Sequence, residues 1–461
     1  MRKEIDTIGT KMVPDDAYYG VHTERARENF PIPCLRQDDE LIKSYLQIKK
    51  ACAMANKEAG RWKDDKIPDA IIKACDDLYA NFDKFKPEFE LPAIQGGAGT
   101  SCNMNVNEVV ANRAIEMLGG KKGDYTIVHP NDDVNKSQST NDTYPTAGHL
   151  AIIKYSKKLL DQLQEDIDSL ERLADEHKND LKMGRTQLED AVPTTFGHSF
   201  HAYASAFRRD IVRINRAISD LMVIPMGGTA IGTGLNATPD YMRLIVPKLS
   251  EVTGLPLKQA DDLIDAIQNS DVYVEVSNTL TTLAATLSKL SNDLRLMNSG
   301  PQDGVGEINL PRKQAGSSIM PNKVNPVIPE VCNQVCFQVI GHAATVALCA
   351  DHGQLELNAW EPLSFMNIFC DLRYLTAALK TLNDNALTGL TVNTERARKE
   401  VEGSAEVATA LAPVLGYEAT TKLIKEALAT GKPIRELVAG KIPEEEFDQL
   451  MSPQNFFVHK N

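Results

Sequence analysis

Three long segments place apolar side chains at alternating spacings of three and four residues, and this pattern constrains the chain more than any other feature. Leu160, Leu163, Ile167, Leu170 and Ala174 form one seam. Phe196, Phe200, Tyr203, Phe207, Ile211, Ile214, Ile218 and Leu221 form a second, and Val276, Leu280, Leu283, Leu287, Leu290, Leu294 and Met297 a third. An α-helix brings residues three and four apart onto one face, so each seam reads as the buried stripe of a long helix packed at a shallow angle. Val331–Ala350 and Trp360–Leu379 add two further helices. Five long helices in succession predict an elongated central bundle over 143–391. No run of alternating β-branched residues competes, so any strands are expected to be short and peripheral. The fold class expected is all-α, with smaller, mostly helical domains at 1–142 and 392–461. In the first of these, Leu41–Ala59, Asp69–Phe82 and Asn105–Leu118 read as helices. In the last, Gly416, Gly431 to Pro433 and Pro443 divide the chain into short helices.

Charge narrows the partners. The 461 residues carry 50 Lys and Arg against 63 Asp and Glu, a net charge of −13. Nucleic acid is not expected as a partner, and neither is an acidic membrane. A small anion in a local pocket stays open, because a site's field is set by its own groups. The eight cysteines show no CxxC spacing and read as reduced, mostly buried thiols of a cytoplasmic protein. Met1 to Asp6 lacks the apolar core of a signal peptide. The charge-free stretch 331–350 is long enough to span a bilayer, but Asn333, Gln334, Gln338 and His342 are costly in lipid. A helix buried in protein on all sides is the expectation there.

Four polar segments interrupt the helical pattern: Gly96–Asn105, Asn135–Asp142, Gly227–Asn236 and Gly316–Pro326. Each is rich in hydroxyls and amides, and all but the second contain glycine. Helix capping accounts for any one of them. Four together favour a shared anion site, since hydroxyls, amides and helix N-termini bind carboxylates without large net charge. The fourth is the sharpest. Gly316 permits unusual dihedrals, Ser317 and Ser318 follow, Lys323 is the lone cation, and Asn325 lies two residues on. A serine acts as a base only if its alkoxide is stabilised, which backbone N–H groups and an ammonium can do. Spacing alone leaves this reading level with that of a solvated connector. Gly232–Ala237 fits a dinucleotide fingerprint but lies between long helices without a βαβ unit. His198 and His201 have no partner carboxylate of the HExxH type and read as surface or interface histidines. No metal site is expected.

Gly316–Pro326 resembles the signature of the fumarase/aspartase superfamily, and Gly99–Val109, Ser137–Asp142, Gly184–Pro193 and Gly227–Asn236 match further segments of it. The resemblance covers nearly the whole chain. It is nearest to the aspartase branch. Gln187 stands where fumarases of this type carry His, and Glu307–Pro311, Gln314–Ser318 and Val327–Val331 are also similar to aspartases. Asn322 replaces the usual signature Gly, and Gln302 a common Arg. The resemblance implies the fumarase/aspartase fold, with 1–142 as the N-terminal lyase domain. It implies a homotetramer whose sites are each built by loops from three subunits.

The reaction implied is reversible removal of ammonia from L-aspartate to give fumarate, without metal or cofactor. Taking the Cβ proton leaves an aci-carboxylate, so charge grows on the β-carboxyl oxygens and must be stabilised there. By the resemblance, Ser317 abstracts that proton as an alkoxide, while Thr100, Ser139 and Thr140 meet the β-carboxylate. Lys323 and Asn325 would hold the α-carboxylate, with Asn141 and Thr186 near the amino group. Gln187 and Glu330 take positioning roles, Ser318 a supporting one, and the loop around Ser317 acts as a lid. A class II-type fumarate hydratase is the alternative enzyme, weakened by Gln187. A catalytically silent lyase-fold structural protein is the other, and it has no need of Ser317, Lys323, Asn325, Thr100 and Asn141.

Overall fold

A computed structural model describes residues 1–452; residues 453–461 of the expected C-terminal domain lie outside the described residues. The five long helices are Thr140–Glu176, Phe196–Asp220, Asp271–Met297, Val327–Asp351 and Glu361–Leu382. Their seams are buried as the periodicity requires: Leu163, Ile167 and Leu170 in the first, Phe196, Phe200 and Phe207 in the second, Leu283, Leu287 and Leu294 in the third. In the first helix the buried stripe runs through Leu159, with Leu160 half-buried beside it. Sheet is confined to two-stranded pairs among the described residues. The longest is an antiparallel hairpin of Leu181–Thr186 with Glu189–Thr195, its register shifting between Met183 and Arg185. A two-residue strand, Val223–Ile224, does precede Gly232–Ala237, but it pairs only with Lys258–Gln259, too little for a nucleotide-binding sheet.

The chain divides into two compact units, and the division falls inside each of the five long helices. One comprises Met1–Leu160, Val212–Thr282 and Gln338–Tyr374; the other comprises Asp161–Ile211, Leu283–Phe337 and the chain from Leu375. In the first unit the helices Asp39–Glu58, Lys66–Ala80 and Thr100–Met117 pack on one another. An aromatic cluster lies beside them: Phe365 meets Tyr144 at 5.3 Å and Tyr273 edge-on at 4.9 Å between ring centroids. Such pairs add specific geometry to large apolar burial. The second unit carries the hairpin and the C-terminal helices, whose core gathers Val401, Leu411, Leu423, Ile434 and Phe447 around Met183 of the hairpin. Gly416 and Gly431 separate those helices as expected. All eight cysteines are free, and all but Cys34 are buried.

The helix Val327–Asp351 departs from the expectation of burial on all sides. Cys332, Cys336, Val339 and Val346 are buried, but Val331, Phe337, Ile340 and Leu348 are exposed, Phe337 by 62%. It is long and apolar enough to cross a membrane by length and composition. Its buried face also carries polar partners: Asn333 donates to the Ser288 hydroxyl at 2.9 Å, and His342 bonds the fully buried Asp371 at 2.6 Å.

Gly148, inside the first long helix, illustrates how tightly the first unit is packed. A Cβ built there would lie 2.1 Å from the Phe365 ring. On an exposed helix, Gly→Ala stabilises by roughly 1 kcal/mol. Here overpacking reverses the sign, and Gly148→Ala is expected to destabilise by about 1–3 kcal/mol, read as a lower denaturation midpoint. A raised midpoint would contradict the packing described.

Candidate active site

The first and second polar segments prove to be helix starts rather than free loops. Gly99, at φ +84°, turns the chain so that Thr100 opens the helix running to Met117. Thr140 opens the first long helix. Ser139 caps it in a reciprocal box: its hydroxyl accepts from Asn141 N at 3.2 Å, and Asp142 accepts from Ser139 N at 2.9 Å. Thr100, Ser139 and Thr140 thus place three hydroxyls at two helix N-termini, where free N–H groups and the helix dipole favour an anion. The third segment is tied to the second by side chains. Asp142, fully buried, also accepts from Gly227 N at 3.2 Å and Thr229 N at 3.1 Å. Asn141 donates to the Ala230 carbonyl at 2.7 Å. Burial pushes the Asp142 carboxyl up to about 6, against the three N–H groups that hold it ionised.

Beneath these helix starts lies a lysine that the sequence reading did not single out. Lys49 is fully buried, and its ammonium donates to three amide oxygens: Asn103 Oδ1 at 2.7 Å, Gln138 Oε1 at 2.8 Å and Asn135 Oδ1 at 3.0 Å. Asn103 in turn donates through Nδ2 to Thr140 Oγ1 at 3.0 Å. Burial lowers the Lys49 ammonium to about 8. The signal was present in the helix pattern: Lys49 falls on the apolar stripe of Ile42, Tyr45 and Cys52, where a solvated lysine does not belong.

The remaining expected residues belong to the second unit. In the fourth segment, Ser317 Oγ accepts from Ile319 N at 3.2 Å and Met320 N at 3.1 Å. These are the backbone donors that an alkoxide needs. The loop is closed by Gly316 N donating to Lys323 O at 2.8 Å and by Asn325 Nδ2 donating to Gly316 O at 3.2 Å. Gly316 does not take a left-handed conformation; it is required because a Cβ would sit 2.8 Å from Lys323 O and 2.9 Å from Asn325 N. Asn322 is not left-handed either, so its replacement of glycine carries no backbone cost. Lys323 and Ser318 are exposed. Glu330 lies 3.8 Å from Arg295.

Thr186 ends the first strand of the hairpin and pairs with Glu189 across a two-residue turn, Gln187-Leu188. Both turn residues have positive φ, +56° and +70°. Such turns ordinarily use Asn-Gly. Below the turn, Arg185 binds the fully buried Glu307 at 2.6 Å, and Lys182 reaches the same carboxylate at 3.2 Å. Among the described residues, the other left-handed non-glycine positions are Ala98, Ser137, Thr229, Asn236 and Leu355. All but Leu355 lie in the polar segments. Backbone strain of roughly 1–3 kcal/mol per residue persists where surrounding contacts enforce it, and it concentrates at functional sites. No group of three or more His, Cys, Asp or Glu poised to hold a metal occurs among the described residues. His201 pairs with Glu171 at the surface.

The Asp142 clamp has a testable pH signature. Below about pH 6 the carboxylate gains a proton and loses acceptor capacity toward Ser139, Gly227 and Thr229. Activity should therefore fall on the acid side with a component near pH 6 that Asp142→Asn lacks. Stability responds with the opposite sign. A carboxyl whose folded value lies above its ordinary 3.8 contributes less as pH rises from 3.8 to about 6 and is constant above that. Asp142→Asn turns one acceptor toward an N–H as a donor, and a loss of about 1–3 kcal/mol in urea titration is expected at pH 8. An unchanged acid limb in Asp142→Asn would contradict the clamp.

Comparison with known proteins places the chain. The lyase family model matches residues 9–341, and the model for the fumarase C C-terminus matches residues 407–457. The aspartate ammonia-lyase of Bacillus sp is 46% identical over 455 residues, covering 98% of this chain and 97% of that protein. That of Escherichia coli K12 is 46% identical over 459 residues, covering 99% and 96%. Among solved structures, the fumarate lyase:delta crystallin of Brucella melitensis superposes with a TM-score of 0.96 at 42% identity, covering 99% of this chain and 100% of that one. The class II fumarase of Schistosoma mansoni gives 0.94 at 34% identity, covering 100% of each chain. The all-α architecture is the fold these structures share. With the lyase family model matched over residues 9–341 and aspartate ammonia-lyases 46% identical over almost the whole of both chains, the chain belongs to the fumarase/aspartase superfamily of lyases.

Proposed function

We propose that this chain is an aspartate ammonia-lyase, converting L-aspartate reversibly to fumarate and ammonia. The observation that carries this reading is its 46% identity to aspartate ammonia-lyases over almost the whole of both chains. Gln187 weakens the hydratase reading: it cannot ionise, so it cannot supply a His-based route to activating water. A silent scaffold is disfavoured by the strained turns and the two N–H groups aimed at Ser317 Oγ.

The reaction needs a base, a sink for charge and a leaving amine. Ser317, as an alkoxide held by Ile319 N and Met320 N, takes the Cβ proton. The electron pair moves into the β-carboxyl group and forms the aci-carboxylate. It then returns to form the Cα–Cβ double bond as the Cα–N bond breaks, releasing ammonia and leaving fumarate. Thr100, Ser139 and Thr140 donate to the β-carboxyl oxygens, where the helix N-termini add to the field. Lys323 and Asn325 hold the α-carboxylate, Asn141 and Thr186 face the amino group, and Gln187, Glu330 and Ser318 support them. Preorganised donors of this kind are each worth roughly 100- to 1,000-fold in rate.

The assembly we assign is a homotetramer whose sites each take segments from three subunits. The exposed apolar residues of Val327–Asp351 support it, since a helix face carrying Val331, Phe337, Ile340 and Leu348 calls for a protein neighbour. The cytoplasm is the compartment that suits eight free thiols.

Fumarate absorbance tests the substrate. L-aspartate should give turnover and L-malate close to none; comparable turnover of malate would reassign the chain as a hydratase. Ser317→Ala should lower kcat by at least about 10,000-fold with little change in substrate binding. Lys323→Ala should raise KM as well, because its ammonium faces a carboxylate in ground and transition states alike. Mixed tetramers of Ser317→Ala with Thr140→Ala should recover part of the activity, since some sites collect neither lesion. No recovery in verified mixed tetramers would exclude shared sites.

A further inference from the structure

The geometry points to Lys49 as a positioning residue that, through Asn103, holds the Thr140 hydroxyl as a donor toward the substrate's β-carboxylate. This rests on the proposed role of Thr140. The argument begins with the proton inventory of the cage. An ammonium has three protons and no lone pair, so every group it touches must present an acceptor. Lys49 touches three amides, Asn103, Asn135 and Gln138, and each therefore turns its oxygen inward.

The orientation of Asn103 follows. With Oδ1 on Lys49 at 2.7 Å, its NH2 group must face the other way, toward Asn135 Oδ1 at 3.2 Å and Thr140 Oγ1 at 3.0 Å. A hydroxyl that receives a hydrogen bond keeps its own proton to give. Among the described residues no acceptor takes that proton from Thr140. Were Asn103 free to flip, its oxygen would face Thr140 and draw the hydroxyl proton inward, presenting lone pairs to a carboxylate. The lysine thus fixes a proton two hydrogen bonds away, on the buried residue Thr140.

The composition of the cage supports this over simple stabilisation. A buried ammonium is best neutralised by a carboxylate, and burial without one is expensive. Only neutral amides hydrogen-bond the Lys49 ammonium, and the Asp142 carboxylate acts on it at longer range. An aspartate in place of Asn103 would have the same shape and would supply a counter-charge in direct contact, but it could not donate to Thr140. A purely structural cage would be served at least as well by that carboxylate as by the amide; an orienting role would not.

The test is a double-mutant cycle on the full chain with Asn103→Asp and Thr140→Val, reading kcat, KM and the thermal midpoint. Asn103→Asp is expected to keep or raise the midpoint while lowering kcat by about 100-fold, with a smaller change in KM. Thr140→Val should lower kcat similarly, and the double variant should be no worse than the poorer single. A second arm, Lys49→Met alone and with Thr140→Val, serves if Asn103→Asp fails to fold, and the same absence of additivity is expected. Near-normal kcat in folded Asn103→Asp alongside an impaired Thr140→Val would overturn the relay and leave the role of Thr140 standing. Independent, multiplying losses in either arm would overturn it as well. Normal kcat in Thr140→Val would instead remove Thr140 from the proposed site.

Discussion

A single buried carboxylate holds the candidate site of the first unit together. Asp142 accepts from three backbone N–H groups, one before its own helix and two on the turn at Gly227 and Thr229. Without it, the cap of the longest helix and the third polar segment would each have to satisfy buried donors separately, at about 1–3 kcal/mol per orphaned group. The strained Thr229, at φ +56°, is held by this contact. The position of Thr140, one turn-start away from Asp142, depends on it as well. Helix capping and site building are here the same act: the groups that end a helix are those that meet a ligand.

The chemistry asks for this economy of charge. An aci-carboxylate bears more charge than the substrate it comes from, so a site complementary to it must stabilise charge that grows. Only the part of a donor's interaction that grows with that charge accelerates proton removal. Hydroxyls backed by helix N-termini and by oriented amides supply such an interaction from preorganised dipoles. The cation that does reach this region, Lys49, is kept behind Asn103 and acts on orientation. Lys323, the cation of the fourth segment, is reserved in our reading for the carboxylate whose charge does not change.

Much of the fold was legible because a helix writes its buried face at a fixed period. The seams through Phe200, Ile167 and Leu287 gave the long helices directly. The starts at Thr100 and Thr140 were harder, because glycine, serine and threonine mark both loops and caps; the sequence Ser139-Thr-Asn-Asp142 carries the capping-box spacing that separates the two. The hairpin of residues 181–195 had no readable turn, since Gln187-Leu188 adopts by constraint what Asn-Gly adopts by preference. Lys49 was visible as a lysine on an apolar stripe, yet its three amide partners come from segments distant in sequence. The helix 327–351 read as buried on all sides because composition records that a face will be covered, not which chain covers it.

The central claim is that the hydroxyl array stabilises charge developing on the β-carboxyl group after Cβ proton removal. An analogue of L-aspartate with a nitro group in place of the β-carboxylate tests it directly, because its ionised nitronate has the shape and charge distribution of the aci-carboxylate. Its inhibition constant, measured at a pH where the nitronate predominates, should lie at least about 100-fold below the KM for L-aspartate. An analogue bound no more tightly than substrate would contradict the account.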